Sequence, residues 1–348
     1  MTLRVGFSGF GAAGRFLHAP LVEAAGMEVA AVATSRVDEV SALHPGARVV
    51  SGFDALLDVA DLDLIVVVTP NALHVSQVQA ALEAGRHVVV DKPATPTRAE
   101  GEVLADLAEA RGLKLAVYHN RRWDSDFLTA RRVLDEGSLG ELRGLRMHWD
   151  RFRPQVLDRW RDRPAVASGN LYDLGSHLID QALLLAGMPD WLQADVFAQR
   201  PGGVTDDGFE ILMAKGDLRI SLGVTLIGAT PRDRFRMEGL TGAYRKSGLD
   251  IQEDQLRAGV SPLDPAFGIE PESQWGEIVD AEGRRSAVRP EPGRWLSFYE
   301  AMRDAITGGG EVPVSMRSAA RTIGVIEAAH AAAREGRRIA LDAEGRWR

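Results

Sequence analysis

The sequence contains no cysteine among its 348 residues. That absence excludes disulfide bonds, thiolate metal sites and thiol nucleophiles. The sequence also has no excess of positive charge, because 49 Asp and Glu outnumber 41 Lys and Arg and give a formal net charge of −8. A protein that binds nucleic acid needs a basic face for the phosphates, so we expect no nucleic-acid partner.

Long apolar runs are missing as well. No stretch approaches the roughly 18 to 20 residues that a membrane span requires, so we expect no membrane partner. The chain begins directly with a strand-like run, and we expect no signal peptide and a cytoplasmic location. Hydrophobic residues at 45% and charged residues at 26% are typical of a globular protein, and the length suits two domains.

Residues 1–120 alternate short apolar strands with helical segments, which indicates a parallel sheet covered on both faces. We interpret them as a Rossmann-type, doubly wound α/β domain. The predicted strands are 3–8, 27–33, 63–68, 87–91 and 114–118. Two of the predicted helices are 73–84 and 98–111, each followed by a glycine that suits a helix C-terminus.

Residues 121–348 show a different pattern, in which alternating strands surround one apolar helix at 170–186. We interpret them as an α+β domain with a mostly antiparallel open sheet. The predicted strands are 142–149, 193–198, 209–214, 219–224 and 235–238. Residues 247–292 are rich in proline, glycine and charge and predict an irregular excursion. A final helix is predicted at 295–307, where it could pack back on the first domain.

A glycine-rich segment follows the first predicted strand and opens a helical pattern, which is the context that a dinucleotide-binding motif requires. Its first glycine permits a tight turn, its second lets a pyrophosphate approach the backbone, and its third lets helix and strand pack closely. The N-terminus of the helix offers N–H groups to the phosphates. The candidate cofactor residues are Gly9, Phe10, Gly11, Ala12, Ala13 and Gly14.

The end of the second strand is where an acidic residue would hold the ribose 2′-hydroxyl of NAD. The sequence there is Thr34-Ser35-Arg36. A hydroxyl followed by a guanidinium suits a 2′-phosphate, so Ser35 and Arg36 favour NADP over NAD. The alternative is that Arg36 is an ordinary solvated side chain at a strand end.

Two further segments carry candidate catalytic groups. Lys92 lies in Asp91-Lys92-Pro93 at the carboxyl end of a buried strand, the edge where a parallel sheet binds ligands. The spacing of Asp173, His177 and Asp180 lets them share one face of an otherwise apolar helix. A histidine with a pKa near 6.5 is a natural proton acceptor at neutral pH, and a carboxylate can orient it. Taken alone, this helix could equally be a capped helix with a satisfied histidine.

Taken together, these segments resemble the Gfo/Idh/MocA family of glucose-fructose oxidoreductases and inositol dehydrogenases. The resemblance rests on the D-K-P strand end, on the D-x-G-x-H helix and on Thr69-Pro70-Asn71 with His74. It covers nearly the whole chain, and the segments 119–127 and 150–154 are most similar to the subgroup of scyllo-inositol dehydrogenases and glucoside 3-dehydrogenases. It implies hydride transfer between NAD(P) and a secondary alcohol or ketone of a sugar or cyclic polyol.

The resemblance also implies roles for individual residues. It makes His177 the general base, Asp173 its partner and substrate ligand, and Lys92 the group that polarises the reacting oxygen. Lys92 acting as the base is the alternative. Further cofactor contacts are expected from Thr69, Pro70, Asn71, His74, Asp91, Lys92 and Asn120, and substrate contacts from Lys92, Arg122, Arg153, Trp160, Tyr172, Asp173 and His177. Asn71 could instead cap a helix, and Arg153, Trp160 and Tyr172 could serve packing alone.

The same resemblance implies a cis Lys92–Pro93 bond and a homodimer or homotetramer formed through the second domain's sheet. We expect no metal site, because the eight histidines include no H-E-x-x-H pattern. Serine-hydrolase chemistry is disfavoured, since no G-x-S-x-G occurs. Two rival functions remain on this scaffold: a sensor that binds the cofactor without catalysis, and an enzyme that retains its cofactor tightly.

Overall fold

The computed structural model describes residues 2–156 and 163–347. The chain forms two compact units. The first unit comprises Met1–Trp123, Gln252–Phe267 and Arg294–Ala320, and the second comprises Asp124–Ile251, Gly268–Gly293 and Arg321–Arg348. The expected domains divided the chain once, at residue 120, whereas two later segments of the chain belong to the first unit.

The elements are numbered in chain order. The strands are β1 (Arg4–Ser8), β2 (Glu28–Ala33), β3 (Arg48–Val50), β4 (Leu64–Val67), β5 (His87–Val90), β6 (Leu115–Val117), β7 (Leu142–His148), β8 (Trp191–Phe197), β9 (Gly208–Lys215), β10 (Leu218–Thr225), β11 (Phe235–Gly239), β12 (Gly242–Lys246), β13 (Gly276–Asp280), β14 (Arg285–Val288) and β15 (Ile339–Ala340). The α-helices are α1 (Ala19–Ala24), α2 (Val37–Leu43), α3 (Phe53–Leu57), α4 (His74–Glu83), α5 (Arg98–Ala110), α6 (Ser125–Asp135), α7 (Ser176–Ala186), α8 (Gln252–Arg257), α9 (Leu296–Gly308) and α10 (Met316–Glu335).

The first unit contains a six-stranded sheet in the order β3-β2-β1-β4-β5-β6, and its strands pair in parallel. Its central strands are runs of Val, Ile, Leu and Ala that are buried on both faces, as expected of a parallel sheet between helices. The order reverses between β1 and β4, where a doubly wound sheet opens a crevice at its carboxyl edge. The predicted Rossmann architecture is confirmed. The short strand β3 was not predicted.

The second unit contains a nine-stranded sheet in the order β14-β13-β12-β11-β7-β10-β9-β8-β15. β7 and β10 pair in parallel, and the other neighbours pair antiparallel. Helix α7 packs on β7 and β10, and α6 packs on β12. Alternate residues of β7, β9 and β10 point into the core that these helices cover. The predicted mostly antiparallel domain is confirmed.

The prediction that residues 247–292 are irregular was wrong. The segment contains α8, β13 and β14. Strands β13 and β14 form a hairpin whose turn includes Gly283 at φ 79°. Its outer strand, β14, has four residues of which three are exposed, so it lacks the apolar alternation by which a strand is recognised in sequence.

The prediction that 295–307 is the last helix was also wrong. α9 lies there, but a longer helix, α10, follows, and β15 comes after it. Helix α10 contains many alanines, the residue with the highest helix propensity, so the sequence did carry its signal. None of the described helices is long and apolar enough to span a membrane.

Candidate active site

The glycine loop joins β1 to a helix that begins with a π-helical turn, Ala13–His18, and continues as α1. Gly9 has φ 97°, and a Cβ there would lie 3.0 Å from the Val68 carbonyl oxygen. A Cβ on Gly14 would lie 3.0 Å from the Gly9 carbonyl oxygen. The first and third glycines are therefore required by the fold itself.

The second glycine differs. Among the described residues, no atom would lie within 4 Å of a Cβ built on Gly11. Gly11 and Ala12 are exposed and Ala13 is half-buried, whereas the Phe10 side chain is 2% exposed and packs in the core. Phe10 can thus offer a cofactor its backbone but not its ring. The open backbone at Gly11 fits the pyrophosphate of a dinucleotide.

Replacing Gly11 by alanine tests this fit. Because the new methyl group meets no atom of the described residues, we expect a change in unfolding free energy within about 0.5 kcal/mol. Dinucleotide affinity should fall about tenfold, since a clash with the ligand costs about 1–3 kcal/mol. Gly46→Ala is the matched control, because its Cβ also meets open space, and calorimetry of both variants measures the effect. Unchanged affinity in Gly11→Ala would show that the dinucleotide lies elsewhere.

The end of β2 brings together residues that the sequence did not connect. Ser35 and Arg36 are exposed, and the Arg36 amide donates to Thr34 Oγ1 at 3.1 Å. The Arg36 guanidinium forms an ion pair with Glu39 at 2.8 Å, and Arg15 forms another with the same carboxylate at 2.9 Å. The hydrogen bond from Arg36 is the main cause that holds the pKa of Glu39 below its usual value.

At the end of β4, the Thr69 hydroxyl donates to Gln77 Oε1 at 2.9 Å. The Ser8 hydroxyl donates to the same oxygen, so Gln77 links the ends of β1 and β4. Pro70 is exposed, and Asn71 begins a 3-10 turn, Asn71–Leu73. The N-cap position of α4 itself is Leu73, directly after this turn.

His74 is 1% exposed and lies between two candidate segments. Its Nδ1 is 2.9 Å from the Pro93 carbonyl oxygen, and its Nε2 is 2.9 Å from the Thr69 carbonyl oxygen. Both ring nitrogens thus contact backbone carbonyls. His74 therefore fixes the loops after β4 and β5, and its contact with the cofactor stays a prediction.

The segment after β5 has the expected cis peptide bond between Lys92 and Pro93. The Lys92 amide donates to Asp91 Oδ1 at 2.8 Å, and both side chains are half-buried. Nearby, Nδ1 of the fully buried His18 lies 2.6 Å from the Tyr299 hydroxyl. Burial lowers the pKa of His18 to about 4, although the charge of Asp91 opposes that shift. His18 is therefore neutral near pH 7.

Asn120 and Arg122 lie in the 3-10 turn Asn120–Trp123 that follows β6. Asn120 is 5% exposed, and the Arg122 guanidinium donates to Ser318 Oγ at 2.8 Å. Arg121 between them is buried, forms a 2.6 Å ion pair with Glu253 and stacks over Trp295. Arg121 thereby joins the two later segments of the chain to the first unit.

In the second unit, the predicted helix 170–186 is divided. Leu171–Gly175 is a π-helical turn, and α7 begins at Ser176. Asp173 therefore lies in the π-helical turn and His177 in the regular helix, and π-helical turns are frequent at functional sites. A Cβ on Gly175 would lie 3.2 Å from the Phe209 ring, so this glycine lets the turn approach β9.

The three ionisable side chains of this helix, of which Asp173 and His177 were predicted to be catalytic, differ in exposure. Asp173 is half-buried, and His177 is 5% exposed with its ring centroid 5.8 Å from that of Trp149. Asp180 is 2% exposed and lies one turn farther into the core, where the Thr322 hydroxyl is 3.5 Å from its Oδ1. Asp173 is thus partly exposed, whereas His177 and Asp180 are both buried.

A buried polar group that sequence reasoning missed lies behind His177. The Arg234 guanidinium pairs with Asp126 at 3.1 Å and donates to Gln181, one helical turn beyond His177. It also lies 5.4 Å from the Trp149 ring that faces His177. These residues are separated by more than 50 positions in sequence, so no local pattern could have connected them.

The predicted substrate contacts outside the helix are less uniform. Arg153 is exposed. Tyr172 is half-buried with its ring 5.7 Å from that of His330, so part of its surface serves packing. Trp160 lies outside the described residues.

Within the described parts of the chain, no group of three or more His, Asp and Glu side chains is arranged to hold a metal ion.

The fold and this site define a nicotinamide-dinucleotide-binding oxidoreductase. Residues 3–119 match the profile of the "Oxidoreductase family, NAD-binding Rossmann fold", and residues 131–341 match that of the "Oxidoreductase family, C-terminal alpha/beta domain". The chain belongs to the Gfo/Idh/MocA family of oxidoreductases, which confirms the resemblance seen in the sequence.

Individual relatives agree with this assignment. The chain is 37% identical to scyllo-inositol 2-dehydrogenase (NADP(+)) of Bacillus subtilis over 98% of this chain and 96% of that one. It is 34% identical to dTDP-3,4-didehydro-2,6-dideoxy-alpha-D-glucose 3-reductase of Streptomyces violaceoruber, over 76% and 74% of the two chains. The structure of an oxidoreductase from Bacillus subtilis superimposes with a TM-score of 0.95 at 36% identity, covering 98% and 99%.

Proposed function

We propose that this protein transfers hydride between NADP(H) and a secondary alcohol or ketone of a cyclic polyol or sugar. The observation that carries the proposal is the similarity, over nearly the full length of both chains, to a relative named as an NADP-dependent scyllo-inositol dehydrogenase. The exposed Arg36 at the end of β2, where a ribose 2′-substituent binds, supports the choice of NADP. Inositols and glucosides are the first substrates to test.

The proposed roles follow from chemistry that the side chains can perform. His177 takes the hydroxyl proton of the alcohol, and Asp173 orients the imidazole and binds the substrate. Lys92 donates a hydrogen bond to the reacting oxygen and stabilises the negative charge that develops there. When bound, the nicotinamide supplies the hydride chemistry. The glycine loop and the ends of β2, β4 and β5 would hold the dinucleotide.

We also propose that the protein forms a homodimer or homotetramer through the second unit's sheet. Helices α6 and α7 cover one face of that sheet. Side chains that point to the other face include the ion-paired Arg146, Arg236 and Glu238 and the 40% exposed Leu212. Light scattering of the purified protein measures the oligomeric state.

The test of the function combines each cofactor with a panel of substrates. NAD or NADP is mixed with scyllo-inositol, myo-inositol, a methyl glucoside and a linear polyol, and the absorbance of reduced nicotinamide is followed. We expect reduction of NADP with a cyclic polyol or glucoside and little with the linear polyol. Cofactor binding without turnover on any substrate would favour the sensor. Cofactor that survives purification and does not exchange would favour the enzyme with retained cofactor.

A further inference from the structure

The carboxyl edge of β1 and β2 carries two guanidiniums that share one carboxylate. Arg15 lies on the helix after the glycine loop, Arg36 directly follows β2, and Glu39 lies on α2. Arg15 Nη1 is 2.9 Å from Glu39 Oε2, and Arg36 Nη1 is 2.8 Å from Glu39 Oε1. Because the two oxygens belong to one carboxylate, the two guanidiniums are held side by side.

Stability does not explain this cluster. The three side chains are 34–54% exposed, and exposed ion pairs contribute only about 0–1 kcal/mol. The cluster does have an orientation, since Arg15 also lies 4.8 Å from the centroid of the Phe16 ring, a contact that limits its rotamers. Two guanidiniums that are held next to each other in fixed orientations form a site for a dianion.

We propose that Arg15 and Arg36 together bind the 2′-phosphate of the dinucleotide and that Glu39 competes with that phosphate for them. This inference rests on the proposed preference for NADP. It adds Arg15 and Glu39 as residues that determine how strong that preference is. A phosphomonoester carries a charge of about −1.5 to −2 at pH 7. It therefore attracts both arginines and repels the Glu39 carboxylate that holds them when no ligand is bound.

The competition gives the two kinds of residue opposite effects. Removing either arginine removes a ligand of the phosphate. Removing the charge of Glu39 frees both guanidiniums and removes a repulsion, so the phosphate should bind more tightly. If the cluster is only a surface salt bridge, replacing Arg15 will not change the affinity for the phosphate. If Glu39 only positions the two arginines, replacing Glu39 will weaken the binding of the phosphate.

The experiment measures binding of adenosine 2′,5′-bisphosphate and of 5′-AMP to the full chain by calorimetry, so it is independent of turnover. We expect Arg15→Gln and Arg36→Gln each to weaken the bisphosphate about tenfold, which is about 1.4 kcal/mol. Glu39→Gln should strengthen it several-fold. Binding of 5′-AMP should be unchanged in all three variants, since it has no 2′-phosphate.

The chain offers a matched control at the opposite end of the same strands. Arg4 and Glu28 form an exposed ion pair at the amino ends of β1 and β2, so Arg4→Gln and Glu28→Gln should alter neither ligand. Inorganic phosphate is the second probe. If inorganic phosphate binds to the cluster as tightly as the bisphosphate does, the cluster is a general anion site and the proposal is overturned.

The outcomes separate this inference from the proposed function. If the wild type binds the bisphosphate more tightly than 5′-AMP but Arg15→Gln changes nothing, the role of Arg15 is refuted while the preference for NADP stands. Weaker binding in Glu39→Gln would refute the competition. If the wild type does not distinguish the two ligands, the preference for NADP and this inference fail together, and hydride transfer is tested separately by the substrate panel.

Discussion

Replacing Lys92 or His177 by alanine should lower turnover by about 10²–10⁴-fold, the range for groups that move or stabilise a proton in the transition state. Dinucleotide affinity should fall far less than turnover, because the glycine loop and the ends of β2 and β4 would keep most of the contacts with the cofactor. Oxidation of an alcohol requires a base for the hydroxyl proton, and without one the proton must leave to water. Steady-state rates with the best substrate of the panel, together with calorimetry of NADP, give both quantities.

Suitable controls lie at the other edge of the same parallel sheet. Lys114 and His87 are at the amino ends of β6 and β5, where the Lys114 amide donates to His87 Nδ1 at 3.0 Å. Ligands of such a sheet bind at the carboxyl edge, so Lys114→Ala and His87→Ala should retain turnover. Full activity in both Lys92→Ala and His177→Ala would remove these residues from the mechanism.

The pH dependence of kcat/KM decides which residue is the base. A base must be deprotonated, so the rate of alcohol oxidation falls on the acidic side of its pKa. If His177 accepts the proton, His177→Gln will lose that acidic limb, whereas Lys92→Met will keep it at a lower rate. The reverse pattern would make Lys92 the base and leave His177 to orient the substrate.

The sequence predicted those features of the protein that depend on short segments. Compact apolar runs located β1, β2 and β4 to within a few residues, because these strands are buried on both faces. Alternation located five strands of the second unit, where one face of the sheet is buried. The glycine spacing and the D-K-P strand end identified the loops at the carboxyl edge. In each case the signal and the structural feature occupy the same few residues.

What could not be predicted are the partners that folding brings together. Glu39 pairs with Arg15 across 24 positions, and Arg234 pairs with Asp126 across 108. The sequence predicted His74 as a residue near the cofactor, and only the structure shows that its ring nitrogens contact the backbone carbonyls of Thr69 and Pro93. The π-helical turn before α7 was likewise hidden, since local propensity does not distinguish it from an α-helix.

A large effect on stability is expected from the buried ion pair of Arg234 and Asp126. Their side chains are 1% and 0% exposed. Breaking a buried pair by removing one partner costs about 3–5 kcal/mol, because an uncompensated charge is left inside the protein. We therefore expect Arg234→Met to lower the free energy of unfolding by about that amount. Urea unfolding followed by circular dichroism measures it.

An exposed pair in the same unit provides the comparison. Arg321 and Glu344 are both 48% exposed, and Arg321→Met should cost less than about 1 kcal/mol. The double variant Arg234→Met with Asp126→Leu should recover much of the loss, because no charge then remains buried. A single variant as stable as the wild type would contradict this expectation and show that the pair contributes little to stability.

The double variant also tests whether the pair serves catalysis. Arg234 donates to Gln181 on α7 and lies against Trp149, whose ring faces His177. If the pair positions the imidazole, the double variant will regain stability without regaining kcat, and KM will change less than kcat. Recovery of both would assign the pair to the core alone. Since buried pairs often stabilise less than apolar residues of similar size, the double variant separates a contribution of this pair to stability from a contribution to the position of the His177 ring.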